Sequence, residues 1–205
     1  MTPTQQHRSY SKRNYTLRLA VMGLLAALAW VTFVMLRFDI VLPAGKVAIH
    51  FANSICALGG LLLGPIAGGL AGAIGLSLAD LVSGYAHAAL PTFIAKFCIG
   101  VIAGLIGRKI CLNQAENTKE QVIKVVISAG VALLIFNVFF DPFLRYLIYQ
   151  LLGFEKSLAK MLGLFNMYVA AFNGVSNTVI LAIVYPLIRR AMGKTDLWKR
   201  LQNLD

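Results

Sequence analysis

Apolar residues run through this chain in long blocks, separated by short polar or helix-breaking interruptions. A helix that crosses a bilayer needs about 17–25 mostly apolar residues. Six blocks are candidates, over residues 17–36, 47–63, 66–82, 91–107, 122–140 and 162–188. Gly64-Pro65 predicts a tight turn between the second and third, and Ser83-Gly84 ends the third. Asp141-Pro142 predicts an end or a kink in the fifth, because the residue before a proline is pushed away from helical geometry. The sixth is long enough to begin in an interfacial segment. The pattern predicts an all-α membrane protein, a bundle of six transmembrane helices. A basic tail (1–16) precedes a membrane domain (17–192), and a second tail (193–205) follows it.

Composition agrees with the pattern. Hydrophobic residues make up 59% of the chain and charged ones 13%, against about 45–50% and about 25% in soluble domains. Soluble, disordered and secreted disulfide-rich classes are thereby excluded. Cys56, Cys98 and Cys111 are odd in number and form no CxxC, which predicts buried reduced thiols. A net charge of +11 would suggest nucleic acid for a soluble chain. Beside apolar blocks it reads as a topology signal instead, so no nucleic-acid partner is expected. With the N-terminus inside, the inner segments carry Arg8, Lys12, Arg13, Arg18, Arg108, Lys109, Lys119, Lys124, Arg189, Arg190, Lys194, Lys199 and Arg200. The outer ones carry only Arg37, Lys46, Arg145, Lys156 and Lys160. This asymmetry places both termini in the cytoplasm. The outer loops are then 37–46, 83–90 and 141–161. A cleaved signal peptide is the alternative for the first block, since Ala27-Leu28-Ala29 resembles a cleavage site. The block is longer than the usual signal core of about 7–15 residues.

Small and polar residues inside the blocks carry the functional signal. Gly68 with Gly72, and Ala71 with Gly75, form small-xxx-small pairs that let helix backbones approach closely. They serve internal packing or meet another protein. Ala20, Gly23, Ala26 and Ala27 give the first block a similar stripe, either turned inward or offered to a partner subunit. Asp80 and Lys96 lie at similar depth in the third and fourth blocks. A charge in the bilayer is costly, so they either pair across the helices or mark the floor of a polar pocket. Asn166, Asn173 and Asn177 share one helical face. Facing lipid would be unfavourable for them, so they belong to the interior, as packing amides or as ligand contacts. Asn53 and Asn137 can join them. Residues 83–92 offer Tyr85 to stack on a flat ring and His87 to hydrogen-bond, as in a lid. Interfacial anchoring of Tyr85 is the plainer account.

No phosphate loop, GxSxG or HExxH is present, and no span holds paired carboxylates. Neither an enzyme nor a cofactor or metal is therefore expected. A small membrane enzyme or assembly factor is the competing class, distinguished by turnover with the isolated chain. A stand-alone secondary transporter would be distinguished by ion-gradient-driven uptake without an ATPase.

Particular stretches add a resemblance. Ile49-His50-Phe51-Ala52-Asn53, Leu61-Leu62-Leu63-Gly64-Pro65-Ile66-Ala67-Gly68, the run from Ala73 through Asp80 to Tyr85, and Pro91-Thr92-Phe93-Ile94-Ala95-Lys96-Phe97 resemble the S-component of energy-coupling factor (ECF) vitamin transporters. The likeness spans roughly residues 47–107 and is nearest to the riboflavin, hydroxymethylpyrimidine or pyridoxine subgroup. It implies a subunit in the bacterial cell membrane that captures a small vitamin outside. Such a subunit docks on a transmembrane coupling subunit carrying two ATPases, and topples to release the ligand inward. Pyridoxine or hydroxymethylpyrimidine is the first expectation; riboflavin and pantothenate are also open. The ligand contacts are expected to be Asn53, Asp80, Tyr85, His87, Lys96, Asn137, Asn173 and Asn177. The resemblance implies docking through small residues of the first helix, here Ala20, Gly23, Ala26 and Ala27. The sequence departs from the pattern at Asn53, where an acidic residue is common, and at Gly23, where an AxxxA-like motif has alanine.

Overall fold

The structure, a computed structural model, describes residues 3–42, 45–111, 119–193 and 201. Helix α1 runs from Pro3 to Met35 and leads into a two-stranded antiparallel hairpin, β1 (Arg37–Leu42) and β2 (Gly45–His50). Then come α2 (Asn53–Leu63), α3 (Pro65–Val82), a 3-10 turn (Ala86–Ala88) and α4 (Ala89–Cys111). Helix α5 (Lys119–Ile135) continues through a π-helical turn (Phe136–Phe140) into α6 (Asp141–Leu151), and α7 (Lys156–Gly193) closes the bundle. The C-terminal tail lies outside the described residues apart from Gly193 and Leu201, and so does the side chain of Cys111. Cys56 is buried and Cys98 half-buried, both as free thiols.

The burial pattern is that of a bundle in lipid. Ile123, Ile127, Val131 and Ile135 form an outward ridge along α5, and Val175, Val179 and Ile183 another along α7. Asn53, Asp80, Lys96, Asn137, Asp141 and Asn173 are buried. Apolar outside and polar inside suits hydrocarbon, where an outward polar group has no water to bond. Among the described residues, five helical stretches are long and apolar enough to cross a membrane, at Asn14–Met35, Pro65–Val82, Ala86–Gly107, Val122–Leu151 and Lys156–Met192.

Two expectations are corrected here. The second apolar block is not one helix. Val47, Ala48 and Ile49 pair with Ile40, Phe38 and their neighbours in the hairpin, as β-branched residues between turn formers tend to do. Only the 11 residues of α2 are helical there, too few to span the bilayer. The outer segment 141–161 is likewise not a loop. Pro142 follows the π-turn directly at the start of α6, within a helical stretch that runs unbroken from Val122 to Leu151. Helix α6 and the start of α7 fill most of that segment, joined at a turn where Gly153 has φ +84°.

Gly64, at φ +83°, and Pro65 make the predicted sharp turn between α2 and α3. Around it three backbones touch. A Cβ on Gly60 would run into the Gly100 carbonyl of α4, and one on Gly68 into the Gly59 carbonyl of α2. On Gly69 it would lie 2.8 Å from the Phe97 carbonyl, and on Gly104 2.6 Å from the Pro65 nitrogen. The glycine-rich pattern therefore serves internal packing of α2, α3 and α4. Gly75 does the same for α1, since its Cβ would strike the Ala26 carbonyl. Ala20, Gly23 and Ala27 are exposed, and a side chain on Gly23 would meet nothing within 4 Å. The small stripe of α1 is thus divided, with Ala26 turned toward α3 and the other three residues left uncovered.

Candidate functional site

At the hairpin end of the bundle the helices part around a narrow cup of about 50 Å³. That is room for a few waters. Helix α3 brings Asp80 to its wall, α4 brings Thr92 and Lys96, and α2 brings Asn53. The π-turn contributes Asn137, and α6 adds Asp141, Arg145 and Tyr149. Helix α7 supplies Asn166 and Asn173; the hairpin supplies Lys46 and His50, and Phe33 and Tyr85 line the cup as well.

A polar chain runs round the wall. Asn166 Nδ2 donates to Asp141 Oδ2 at 3.1 Å. Arg145 Nε donates to both oxygens of Asp141, at 3.1 and 3.2 Å, one turn along the same helix. Arg145 Nη2 donates to Thr92 Oγ1 at 3.2 Å, and Thr92 in turn bonds Asp80. Four helices are tied together by this chain. Burying the Asp141–Arg145 pair is tolerable because further hydrogen bonds satisfy both groups. Of the two readings of Asp80 and Lys96, direct pairing is not made, and both line the recess. Among the described residues the ion pairs are Arg37–Asp39, Lys124–Glu120 and Arg145–Asp141. Arg145 takes the role foreseen for Lys96, with Asp141 in place of Asp80.

The amide stripe of α7 divides by partner. Asn173 Oδ1 accepts from the His50 N–H at 3.0 Å, and its Nδ2 donates to the Ala48 carbonyl at 3.0 Å. Asn177 Oδ1 accepts from the Ser54 N–H at 2.7 Å, and its Nδ2 donates to the carbonyls of His50 and Asn173. These two amides fasten β2 and the start of α2 to α7, satisfying backbone groups that neither a strand edge nor a helix N-terminus satisfies alone. Asn177 does not line the cup and Asn173 touches its edge. His87 is also displaced from it. Its ring lies 5.8 Å from Tyr149, 6.2 Å from Phe154 and 6.5 Å from Tyr85. It belongs to an aromatic cluster behind the wall, with no hydrogen bond toward the cup.

Tyr85 is buried, so interfacial anchoring does not describe it. Phe33 packs edge-on against His50 at 4.9 Å and against Tyr85 at 6.2 Å. The Arg37 guanidinium lies 5.5 Å from the centre of the Phe33 ring and 5.9 Å from that of Tyr85, and it donates to Ser83 Oγ. Residue His50 is outside the spanning helices. Burial, then Lys96 and Arg145, push its pKa down to about 3, so its ring is neutral.

Sequence reasoning placed Asn53, Asp80, Tyr85, Lys96, Asn137 and Asn173 among the ligand contacts, and all six line the cup. It missed Asp141, Arg145, Thr92, Tyr149 and His50 as lining residues. A signal was available for two of them: Asp141 and Arg145 stand at the i,i+4 spacing of a helical ion pair.

Two buried polar atoms at this cup have no hydrogen-bond partner, Asn53 Oδ1 and His50 Nδ1, while the Tyr85 hydroxyl turns to Asp39 of the hairpin. Buried polar groups are nearly always satisfied in folded proteins, so such a pair calls for a reason. Among the described residues no group of three His, Cys, Asp or Glu side chains is placed to hold a metal.

An apolar-surfaced helical bundle with a polar recess at one end defines a membrane-embedded binding protein. The family model described as ECF-type riboflavin transporter, S component, matches residues 13–192. The chain belongs to that family, whose members are the substrate-binding subunits of membrane transporters. It is 31% identical over 165 residues to a UPF0397 protein of Enterococcus faecalis, covering 80% of this chain and 84% of that one. It is 39% identical over 74 residues to an uncharacterized protein of Pyrococcus woesei, covering 36% of this chain and 48% of the other. The fold is similar to the S component of a bacterial ECF transporter, with a TM-score of 0.53 and 17% identity. That match covers 85% of this chain and 96% of the solved one.

Proposed function

We propose that this chain captures a small water-soluble vitamin or vitamin precursor outside a bacterial cell membrane. ATPases on separate chains then drive import. Pyridoxine or hydroxymethylpyrimidine is the favoured ligand, with riboflavin or pantothenate as further candidates. Both termini face the cytoplasm, so the cup opens outward. Helix α2 completes a six-helix membrane domain (17–192) without crossing the bilayer by itself. Asn53, Asp80, Tyr85, Lys96 and Asn137 contact the ligand; Asn173, Asn177 and His87 hold the hairpin and wall around it. The exposed Ala20, Gly23 and Ala27 dock on the transmembrane coupling subunit, while Ala26 braces α1 on α3.

One observation carries this reading: two unsatisfied buried polar atoms, of Asn53 and His50, and the rings of Phe33 and Tyr85 converge on a single recess. A planar ligand with hydrogen-bonding edges would stack on the rings and satisfy those atoms. The test is equilibrium binding of radiolabelled vitamins to the chain in detergent without nucleotide. Saturable one-to-one binding of one of them, weakened by Asn53→Leu, is the expected result. Absence of binding by all four candidate vitamins would remove the proposal.

A further inference from the structure

We infer that the ligand is dipolar: a small ring molecule bearing an anionic or strongly accepting group at one end and a cationic or strongly donating group at the other, held between Lys96 and Asp80. The inference rests on the reading of the cup as the capture site.

Most charges at the cup are already matched or solvated, Lys46 by its exposure at the mouth. Asp141 is held by Arg145 and Asn166, and Arg37 by Asp39 at the hairpin. Lys96 is 3% exposed and makes no ion pair within 4 Å among the described residues. Asp80 is 4% exposed, and its partner is the neutral hydroxyl of Thr92. Both side chains line the same recess. A buried charge without a contact partner of opposite sign is expensive, and two such charges free to move would pair. Helices α3 and α4 hold them apart instead, through glycine contacts that leave little freedom to slide.

A net anion would satisfy Lys96 and be repelled by Asp80; a net cation would do the reverse. An apolar ring would satisfy neither. A molecule with both ends satisfies both at once, so the separated pair selects for a dipole by penalising net charge of either sign. Asn53 Oδ1, an acceptor without a donor, adds a further preference for a ligand N–H or O–H. The rings of Phe33 and Tyr85 set the flat shape.

The test uses the full-length chain in detergent and four probes: pyridoxine (dipolar at neutral pH), nicotinate (anion), 1-methylnicotinamide (cation) and riboflavin (uncharged). Pyridoxine should bind tightest, by about tenfold to a hundredfold over each single-sign probe, the range expected for one lost charged hydrogen bond. Lys96→Met should move the preference toward 1-methylnicotinamide, and Asp80→Asn toward nicotinate. Lys96→Arg keeps the charge and should keep the wild-type order, which separates charge from loss of fold. Tightest wild-type binding of nicotinate, 1-methylnicotinamide or riboflavin would overturn the dipolar assignment and leave the capture site standing. An unchanged order in both charge-removing variants would overturn it too. Failure of all four probes with binding of hydroxymethylpyrimidine or pantothenate would overturn the dipolar assignment alone; failure of those two as well would overturn the capture reading, and this inference with it.

Discussion

Gly60 and Asn53 lie two turns apart on α2, yet their surroundings are opposite in kind. At Gly60 there is no room even for a methyl group, because the Gly100 backbone of α4 occupies the space. At Asn53 there is a buried amide oxygen with nothing bonded to it. The first region gains its stability from contact between backbones, which small residues permit where lipid supplies no hydrophobic force between helices. The second forgoes hydrogen bonds that a purely structural core would make. Close packing of α2, α3 and α4 below the cup is what allows its polar atoms to stay unsatisfied. The rigid half supports the receptive half.

The largest effect is expected at the ion pair in the cup wall, between Asp141 and Arg145 of α6. Arg145→Met leaves Asp141 buried and unmatched and should cost about 3–5 kcal/mol, seen as a large fall in the thermal midpoint in detergent. Adding Asp141→Leu should restore most of that loss, because no orphan charge is left. If the single variant is as stable as wild type, the wall is not organised by this pair. Next in size, Gly60→Ala should cost about 1–3 kcal/mol by overpacking, with a matching drop in midpoint and no specific effect on ligand selectivity. Full stability of that variant would contradict the backbone contact between α2 and α4.

Variants at the receptive end should behave in the opposite way. Tyr85→Phe removes a hydroxyl that faces only the exposed Asp39 of the hairpin, so stability should stay within about 0.5 kcal/mol of wild type. Ligand affinity should fall about tenfold. A large stability loss with unchanged affinity would make Tyr85 structural. His50 gives a pH test. Its folded pKa of about 3 lies below the ordinary 6.5, so protons favour the unfolded chain. Its contribution to stability is complete above about pH 6.5 and declines as pH falls from there toward 3. Melting as a function of pH should show that acid-side decline, reduced in His50→Asn. On the uncovered face of α1, an added methyl in Gly23→Ala meets nothing within 4 Å. It should change the midpoint by no more than the helix-propensity gain of about 1 kcal/mol.

The legibility of this molecule in its sequence follows the same divide. Apolar block lengths locate the spanning helices because the bilayer sets a length and hydrocarbon excludes polar outward faces. Gly64-Pro65 and Ser83-Gly84 act locally, and the chain does turn there. The hairpin was hidden because Val47–His50 is apolar enough to read as the start of a helix. Its strand character comes from pairing with Arg37–Val41, which no local window registers. Asp141-Pro142 misleads for a related reason. The π-turn of Phe136–Phe140 changes the helical phase just before it, and Pro142 then follows within an unbroken helical stretch. With that segment read as a loop, Arg145 was assigned to an outer surface rather than to the wall. The amides of α7 were legible as interior residues. What Asn173 and Asn177 bond was not, because their partners lie in backbone more than a hundred residues away.

Asn53 Oδ1 and His50 Nδ1 lack protein partners because a ligand supplies them. The most direct measurement is small-molecule mass spectrometry of the chain purified from cells grown in rich medium. The account predicts one ring-containing polar compound in near-stoichiometric amount, released on denaturation and depleted in the Asn53→Leu variant. An empty wild-type chain that also binds none of the candidate vitamins would contradict it.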